Sequence, residues 1–216
     1  HRLDDAASLR RGGGVMLSLP LVVDAIKACT ACALQPMHNG PVPPRWRADL
    51  PDPKVFIIGE APGEQEDLKR TPFIGPSGKS LAAWLSAAGI ESAYVTNTVK
   101  CRPPNNKLNK VEFAIASCAP HLDAELVAVA PQLIVCVGRY AGNIVLGSKG
   151  TAMSFLASLN TTATRKVRWR LVPVVSIYHP ASYLYGGSKG ALTVEQNIEQ
   201  LRIGLRRAGL RCKEAV

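Results

Sequence analysis

The sequence predicts an α/β fold, a single-domain three-layer α/β/α sandwich around a four-stranded parallel central sheet. Three observations predict it. Four short runs are rich in Val and Ile, and three of them are nearly continuous in apolar residues, the pattern of strands buried on both faces. Helical patterns separate the runs, and alternating strand and helix is the order that builds a doubly wound parallel sheet. The chain has 216 residues, 47% of them hydrophobic and 19% charged, which is enough apolar mass for one full core. No internal repeat or interdomain linker divides it. Residues 16–216 are therefore expected as one domain behind a flexible leader over 1–15.

The elements follow in chain order. Arg10 and Arg11 precede a short apolar run that faintly resembles a signal peptide, but no small-x-small cleavage site follows. The expectation is a leader and then a first helix. The stretch "PMHNGPVPPRWRADLPDP" (36–53) is Pro-rich and reads as an extended surface connection. "KVFIIGEA" (54–61) is the first strand. "TPFIGPSGKS" (71–80) ends like a phosphate-binding P-loop, yet Phe73 stands where that motif needs its first glycine, and the preceding strand ends too early. Gly75, Pro76 and Ser77 read instead as a turn and N-cap before a helix over 78–89. "AYVTNTVK" (93–100) is the second strand, followed by a helix over 111–129. "QLIVCVG" (132–138) is the third strand, with a helix over 139–147, and "LVPVVSIYH" (171–179) is the fourth. A basic amphipathic helix over 193–208 closes the fold, with Arg202, Arg206 and Arg207 read as its solvated face.

The formal net charge is +10 and the sequence pI about 9.6, which favours a polyanionic partner such as DNA, RNA or a membrane surface. No apolar run approaches the ~18–20 residues of a membrane span. Of six cysteines, Cys136 lies inside an apolar run and reads as core, and Cys212 near the tail reads as incidental. Cys29 and Cys32 form a C-x-x-C, and Cys101 and Cys118 lie downstream. Four thiolates can hold tetrahedral zinc or an iron–sulfur cluster, and the residues alone do not choose between them.

Ligands of open α/β sheets bind beyond the carboxyl ends of the strands. The first strand runs into Glu60, the second ends at Asn97 and the fourth at His179, so parallel strands gather these three on one rim. Phe73 lies in the loop leading away from the first strand and can reach the same rim. A carboxylate, an amide, an imidazole and an aromatic ring together suit a flat, hydrogen-bonding ligand such as a nucleobase.

The segments "GEAPGEQED" (59–67), "PFIGPSGKSL" (72–81), "YVTNTVKCRPPNN" (94–106) and "HPASYL" (179–184) resemble the motifs of the family 4, iron–sulfur uracil-DNA glycosylases. The resemblance runs from about 28 to 205 and implies a monofunctional enzyme. In it, Phe73 would stack on an extruded base and Asn97 would pair with the pyrimidine edge. Glu66 would stand beside the C5 edge of uracil, and backbone groups at Glu60 and Ala61 would hold the base oxygen. His179 would stabilise charge on that oxygen, and Glu60 would either activate water or stabilise the cationic sugar. Ser77 and Lys79 would hold a DNA phosphate, and Ser182 and Leu184 would lie in the loop that probes the duplex. Cys29, Cys32, Cys101 and Cys118 would carry a structural [4Fe–4S] cluster, with Zn as the alternative. The implied setting is cytoplasmic, in a bacterium, an archaeon or a phage context, with the protein a monomer.

The chain departs from the family pattern in two loops. It reads Arg70-Thr71-Pro72-Phe73 where many members read "GRPF". It reads His179-Pro180-Ala181 with Leu184-Tyr185 where they read "HPS" and an Arg after the leucine, and the Gly-rich "YGGSKG" (185–190) follows. These changes leave two alternatives beside uracil excision in base excision repair: removal of a hypermodified pyrimidine from phage DNA in defence, and DNA binding without catalysis. The "KRRIH"-type insertion of members that trap DNA covalently is not seen, so turnover is expected. His38 and His121 read as structural, and Trp46 and Trp169 carry no assignable role.

Overall fold

Val- and Ile-rich runs become strands because β-branched side chains fit a pleated surface covered on both faces. In the computed structural model, which describes residues 18–47, 53–108, 113–147, 159, 163–184 and 192–211, the four expected runs form β1 (Val55–Gly59), β2 (Tyr94–Asn97), β3 (Leu133–Val137) and β5 (Arg170–Ile177). They pair in parallel in the order β2-β1-β3-β5. The leader over 1–15, the Gly-rich stretch 185–190 and Cys212 lie outside the described residues.

Among the described residues the sheet has five strands, not four. β4 (Thr164–Val167) adds antiparallel to the outer edge of β5. Its sequence, Thr-Arg-Lys-Val, buries only Val167. A polar edge strand needs no apolar run, and its charges protect the open edge from further pairing. The signal that finds buried strands is therefore missing from this one.

Side chains alternate across the sheet. Val55 and Ile57 of β1 face one core with Val135 and Val175, under Leu81 and Trp84 of α3 (Pro76–Ala88) and Leu201 and Leu205 of α7 (Val194–Arg207). Phe56 and Ile58 face the other with Ile134 and Val174, under Leu122 and Leu126 of α4 (Phe113–Val129) and Ala141 and Val145 of α5 (Arg139–Leu146). Helices thus cover both faces, as the three-layer expectation requires. Each fully buried Val, Leu or Ile contributes about 1.5–3 kcal/mol. α1 (Leu19–Lys27) packs on α4. Two short helices, α2 (Glu64–Lys69) and α6 (Ala181–Leu184), follow β1 and β5.

The described part of the 36–53 connection is more than a surface link. The Val42 N–H donates to the Lys100 carbonyl at 2.7 Å, and Arg45 pairs with Val95 through two backbone bonds. The connection so covers the open edge of β2. Trp46 stacks on Tyr94 with ring centroids 5.6 Å apart, and Tyr94 stacks on Phe56 at 4.8 Å. Trp46 therefore has a role that its sequence context did not reveal: it caps the second core.

α7 begins with a capping box between Thr193 and Gln196. Its arginines differ from the solvated face expected. Arg207 donates to the Val174 and Ala163 carbonyls, and Arg202 to the Ala87 carbonyl. Both tie the helix to its neighbours, while exposed Arg206 pairs with Glu199 at 2.6 Å.

Candidate functional site

Parallel pairing brings the carboxyl ends of β1, β2 and β5 to one rim, and a cavity of about 490 Å³ opens there. Glu60, Ala61, Glu66, Phe73, Ser77, Asn97 and His179 all line it. The last residue of β1 has to be small. A Cβ on Gly59 would overlap both the Asn97 Oδ1 and the Phe73 ring, so the amide and the aromatic converge over a bare backbone.

Phe73 is 8% exposed and has φ 55°, a left-handed backbone unusual for a bulky residue. Its loop is held on three sides. Glu66 Oε1 accepts from the Ile74 N–H at 2.9 Å and the Gly75 N–H at 2.7 Å. The Arg45 guanidinium donates to the Phe73 carbonyl at 3.3 Å. Gly78 lies against that carbonyl so closely that a Cβ there would overlap it. The glycine of the P-loop-like string therefore serves close packing against Phe73. α3 starts at Pro76 with Gly75 as N-cap, two residues earlier than the spacing suggested. Proline at the first helical position loses no intrahelical bond, because its N–H would have been unpaired anyway.

Asn97 is 5% exposed, and its side-chain amide makes no hydrogen bond to another described residue. A buried amide carries a donor and an acceptor that need partners, and here both are open to the cavity. Burial raises the Glu60 carboxyl to about 7, opposed by the charge of Arg139. Burial lowers the His179 imidazole below its usual range, opposed by Glu66. The Ala181 N–H donates to His179 Nδ1 at 3.2 Å. In the neutral ring this puts the proton on Nε2, so His179 offers an uncharged N–H donor. The site thus combines an aromatic ring, a primary amide, an uncharged N–H donor and a carboxyl raised to about 7.

The four candidate cysteines come from three separate elements. Cys29 and Cys32 follow α1, Cys101 follows β2 and Cys118 lies on α4. Cys101 and Cys118 join a third apolar cluster with Leu34, Val99, Leu108 and Ala114, against which Cys32 and Ala61 also pack. Burial, then the neighbouring Cys118, Cys32 and Cys29, push the Cys101 thiol up to about 12. Burial also raises Cys118, with Cys32 and Cys29 adding to the effect. The four thiols therefore share one neighbourhood. Among the described residues, no three His, Cys, Asp or Glu side chains stand in metal-ligating geometry.

The family model of the uracil DNA glycosylase superfamily matches residues 47–202. The chain belongs to this superfamily. It is 35% identical to a type-4 uracil-DNA glycosylase of Archaeoglobus fulgidus, over 79% of this chain and 85% of that protein. It is 31% identical to the type-4 enzyme of Thermotoga maritima over 88% and 96%, and 30% identical to that of Sulfurisphaera tokodaii over 87% and 84%.

In this superfamily member the cavity gathers seven of the expected residues and leaves three outside it. Lys79 is exposed one turn into α3, and Ser182 and Leu184 lie on α6, where Leu184 is 44% exposed. Tyr183 anchors α6 by edge-on packing against Trp84 and by a hydrogen bond accepted from Asn197. Four further residues carry no assignment from the sequence alone. Pro103 and Asn106 line the cavity, and Arg102 Nε donates to Asn106 Oδ1 at 2.9 Å. Their signal was present in the polar "RPPNN" after β2. Arg139, whose charge reaches Glu60, sits at the carboxyl end of β3, a strand end whose sequence points to no rim residue. No helix among the described residues is long and apolar enough to cross a membrane.

Proposed function

We propose that the protein is a DNA glycosylase that extrudes uracil from DNA and hydrolyses its N-glycosidic bond, leaving an abasic site in base excision repair. The observation that carries this reading is the convergence of Phe73, Asn97, His179 and Glu60 on one cavity in a chain of this superfamily. Extruding the base costs roughly a few kcal/mol of stacking and pairing. Phe73 replaces part of that stacking. The Asn97 amide, which has no hydrogen-bond partner among the described residues, matches the donor–acceptor edge of the pyrimidine.

As the C1′–N1 bond breaks, its electron pair stays with the base and charge grows on O2. His179 Nε2–H donates to that oxygen, with the backbone at Glu60 and Ala61 beside it. A preorganised donor of this kind contributes about 3–4 kcal/mol to the transition state. Water then adds to C1′, and Glu60 accepts its proton; a carboxyl titrating at about 7 is suited to that transfer near neutral pH. Glu66 forms the wall beside the C5 edge while its Oε1 holds the loop behind Phe73. Ser77 and Lys79 at the start of α3 hold a backbone phosphate, which a helix N-terminus favours. Ser182 and exposed Leu184 meet the duplex.

Cys29, Cys32, Cys101 and Cys118 are the ligands of a [4Fe–4S] cluster, with zinc as the alternative. The convergence of four thiols from three elements and the type-4 names of the relatives support this assignment. When bound, the cluster would tie α1, the turn after β2 and α4 together and leave the glycosidic chemistry to the cavity. The protein acts in the cytoplasm.

The test is a labelled DNA panel carrying uracil, thymine, hydroxymethylcytosine or glucosylated hydroxymethylcytosine, followed by alkaline cleavage. Cutting at uracil alone is expected. A silent uracil lane beside a cut at a bulky base would overturn the assignment, and silence in every lane would overturn catalysis. The relatives compared are named for uracil, and neither alternative gains support from them.

A further inference from the structure

Two charged side chains are buried directly behind Asn97, and the proposed chemistry uses neither. Lys100 is 1% exposed and Glu125 is 0% exposed. Lys100 Nζ lies 2.5 Å from Glu125 Oε2. It also donates to Thr96 Oγ1 at 2.8 Å and to the Asn97 carbonyl at 2.6 Å. Glu125 Oε1 accepts from the Tyr94 hydroxyl at 3.1 Å and from Thr96 Oγ1 at 2.8 Å. Lys100, just past β2, thus folds back over the end of that strand and grips the residue whose amide faces the cavity, while Glu125 reaches in from α4.

We propose that Lys100 and Glu125 are positioning residues that hold the Asn97 amide in register for base recognition. Burying an ion pair carries a large desolvation penalty, and well-packed apolar side chains often hold a fold equally well. Stability alone therefore gives no reason for this pair. The Asn97 side chain has no described partner to orient it, so its direction depends on the backbone that carries it. That backbone also positions Glu60. The Thr98 N–H donates to the Gly59 carbonyl at 2.9 Å, and the Thr98 hydroxyl and Val99 N–H both donate to the Glu60 carbonyl. Releasing Lys100 frees the turn that carries the base-reading amide and touches the acid. Misplacing a reactive geometry by about 1 Å costs on the order of 100-fold in rate.

The inference rests on the assignment of Asn97 to the base, and the experiment separates the two. Removing one charge strands the other, so the main variant replaces both: Lys100→Met/Glu125→Leu in the full chain. Thermal melting, single-turnover uracil excision and binding to uracil-free DNA are measured. The expected double variant melts cooperatively, binds DNA as the parent does and excises about 10- to 100-fold more slowly. A folded double variant with the parental rate would overturn the proposal. Should the double variant not fold, Thr96→Val decides: it removes a hydroxyl shared by both charges and keeps the shape. Its kcat is expected to fall about 3- to 10-fold with KM unchanged, and a parental kcat overturns the proposal. Asn97→Ala is the control. If it excises at the parental rate, the base-recognition assignment fails and the brace with it. If Asn97→Ala is slow while the brace variants are not, the brace alone fails.

Discussion

Glu60 sits where β1 ends, and burial lifts its carboxyl to about 7. A general base has to be ionised, so the single-turnover rate should rise with pH through about 7 and then level off. Glu60→Gln should lose that limb and about 10²–10⁴-fold of the rate. The same shift has a thermodynamic sign. A carboxyl whose folded pKa lies above its unfolded value of 4.5 binds its proton more tightly when folded. Its contribution to stability is full below the unfolded value and is lost as pH rises through about 7. Glu60→Gln should therefore stabilise the fold more at pH 8 than at pH 5, by an unfolding free energy on the order of 2 kcal/mol read by chemical denaturation. Much of the residue-level site was legible because strand ends in parallel sheets are where ligands bind. Glu60, Asn97 and His179 each follow an apolar run that marks such an end. Arg139 was not legible: it acts by charge on a neighbour far away in sequence, and no local pattern records that. The clamp of Glu66 on the Ile74 and Gly75 N–H groups was equally hidden, because a carboxylate's backbone partners leave no trace in spacing.

The loop between α2 and α3 shows why the elements were less evenly readable. Its Gly75 and the Gly78 of α3 look like a phosphate loop, yet Gly78 is there to let α3 pack against the Phe73 carbonyl. Gly78→Ala would favour an isolated helix, since alanine is the better helix former by about 1 kcal/mol. Here its Cβ has no room, so the variant should lose about 1–3 kcal/mol by chemical denaturation and excise uracil more slowly. An unchanged midpoint would contradict the close approach. The buried strands were legible because their apolar runs are forced by two covered faces. β4 was not, because a charged edge strand looks like a loop, and neither was α2, whose residues are mostly exposed and half of them acidic. The edge pairing of Arg45 with Val95 is equally silent, because backbone bonds ask nothing of the side chains.

At the scale of the molecule, the net charge of +10 implies a phosphate-dominated encounter with DNA. KM for uracil-containing DNA should climb steeply between about 50 and 200 mM salt, while the single-turnover rate at saturating enzyme stays nearly flat. A rate that falls with salt at saturation would mean that charge acts in the chemical step instead. The cysteine neighbourhood joins α1, the turn after β2 and α4, so loss of a ligand should loosen all three. Cys101→Ser is expected to abolish bound iron in purified protein and to lower the melting temperature, whereas Cys136→Ser, in the second core, should leave iron content unchanged. Equal iron in both variants and the parent would contradict the ligand assignment.

The most direct measurement is single-turnover release of uracil from duplex DNA by the parent, His179→Ala and Asn97→Ala, with enzyme in excess and each variant shown to be folded. The account predicts an abasic site from the parent, and a rate lower by about 10²–10³-fold in His179→Ala with DNA binding retained. Asn97→Ala should also be slower than the parent and should bind uracil-containing DNA little better than plain duplex. A parent that releases no uracil, or variants as fast as the parent, would contradict it.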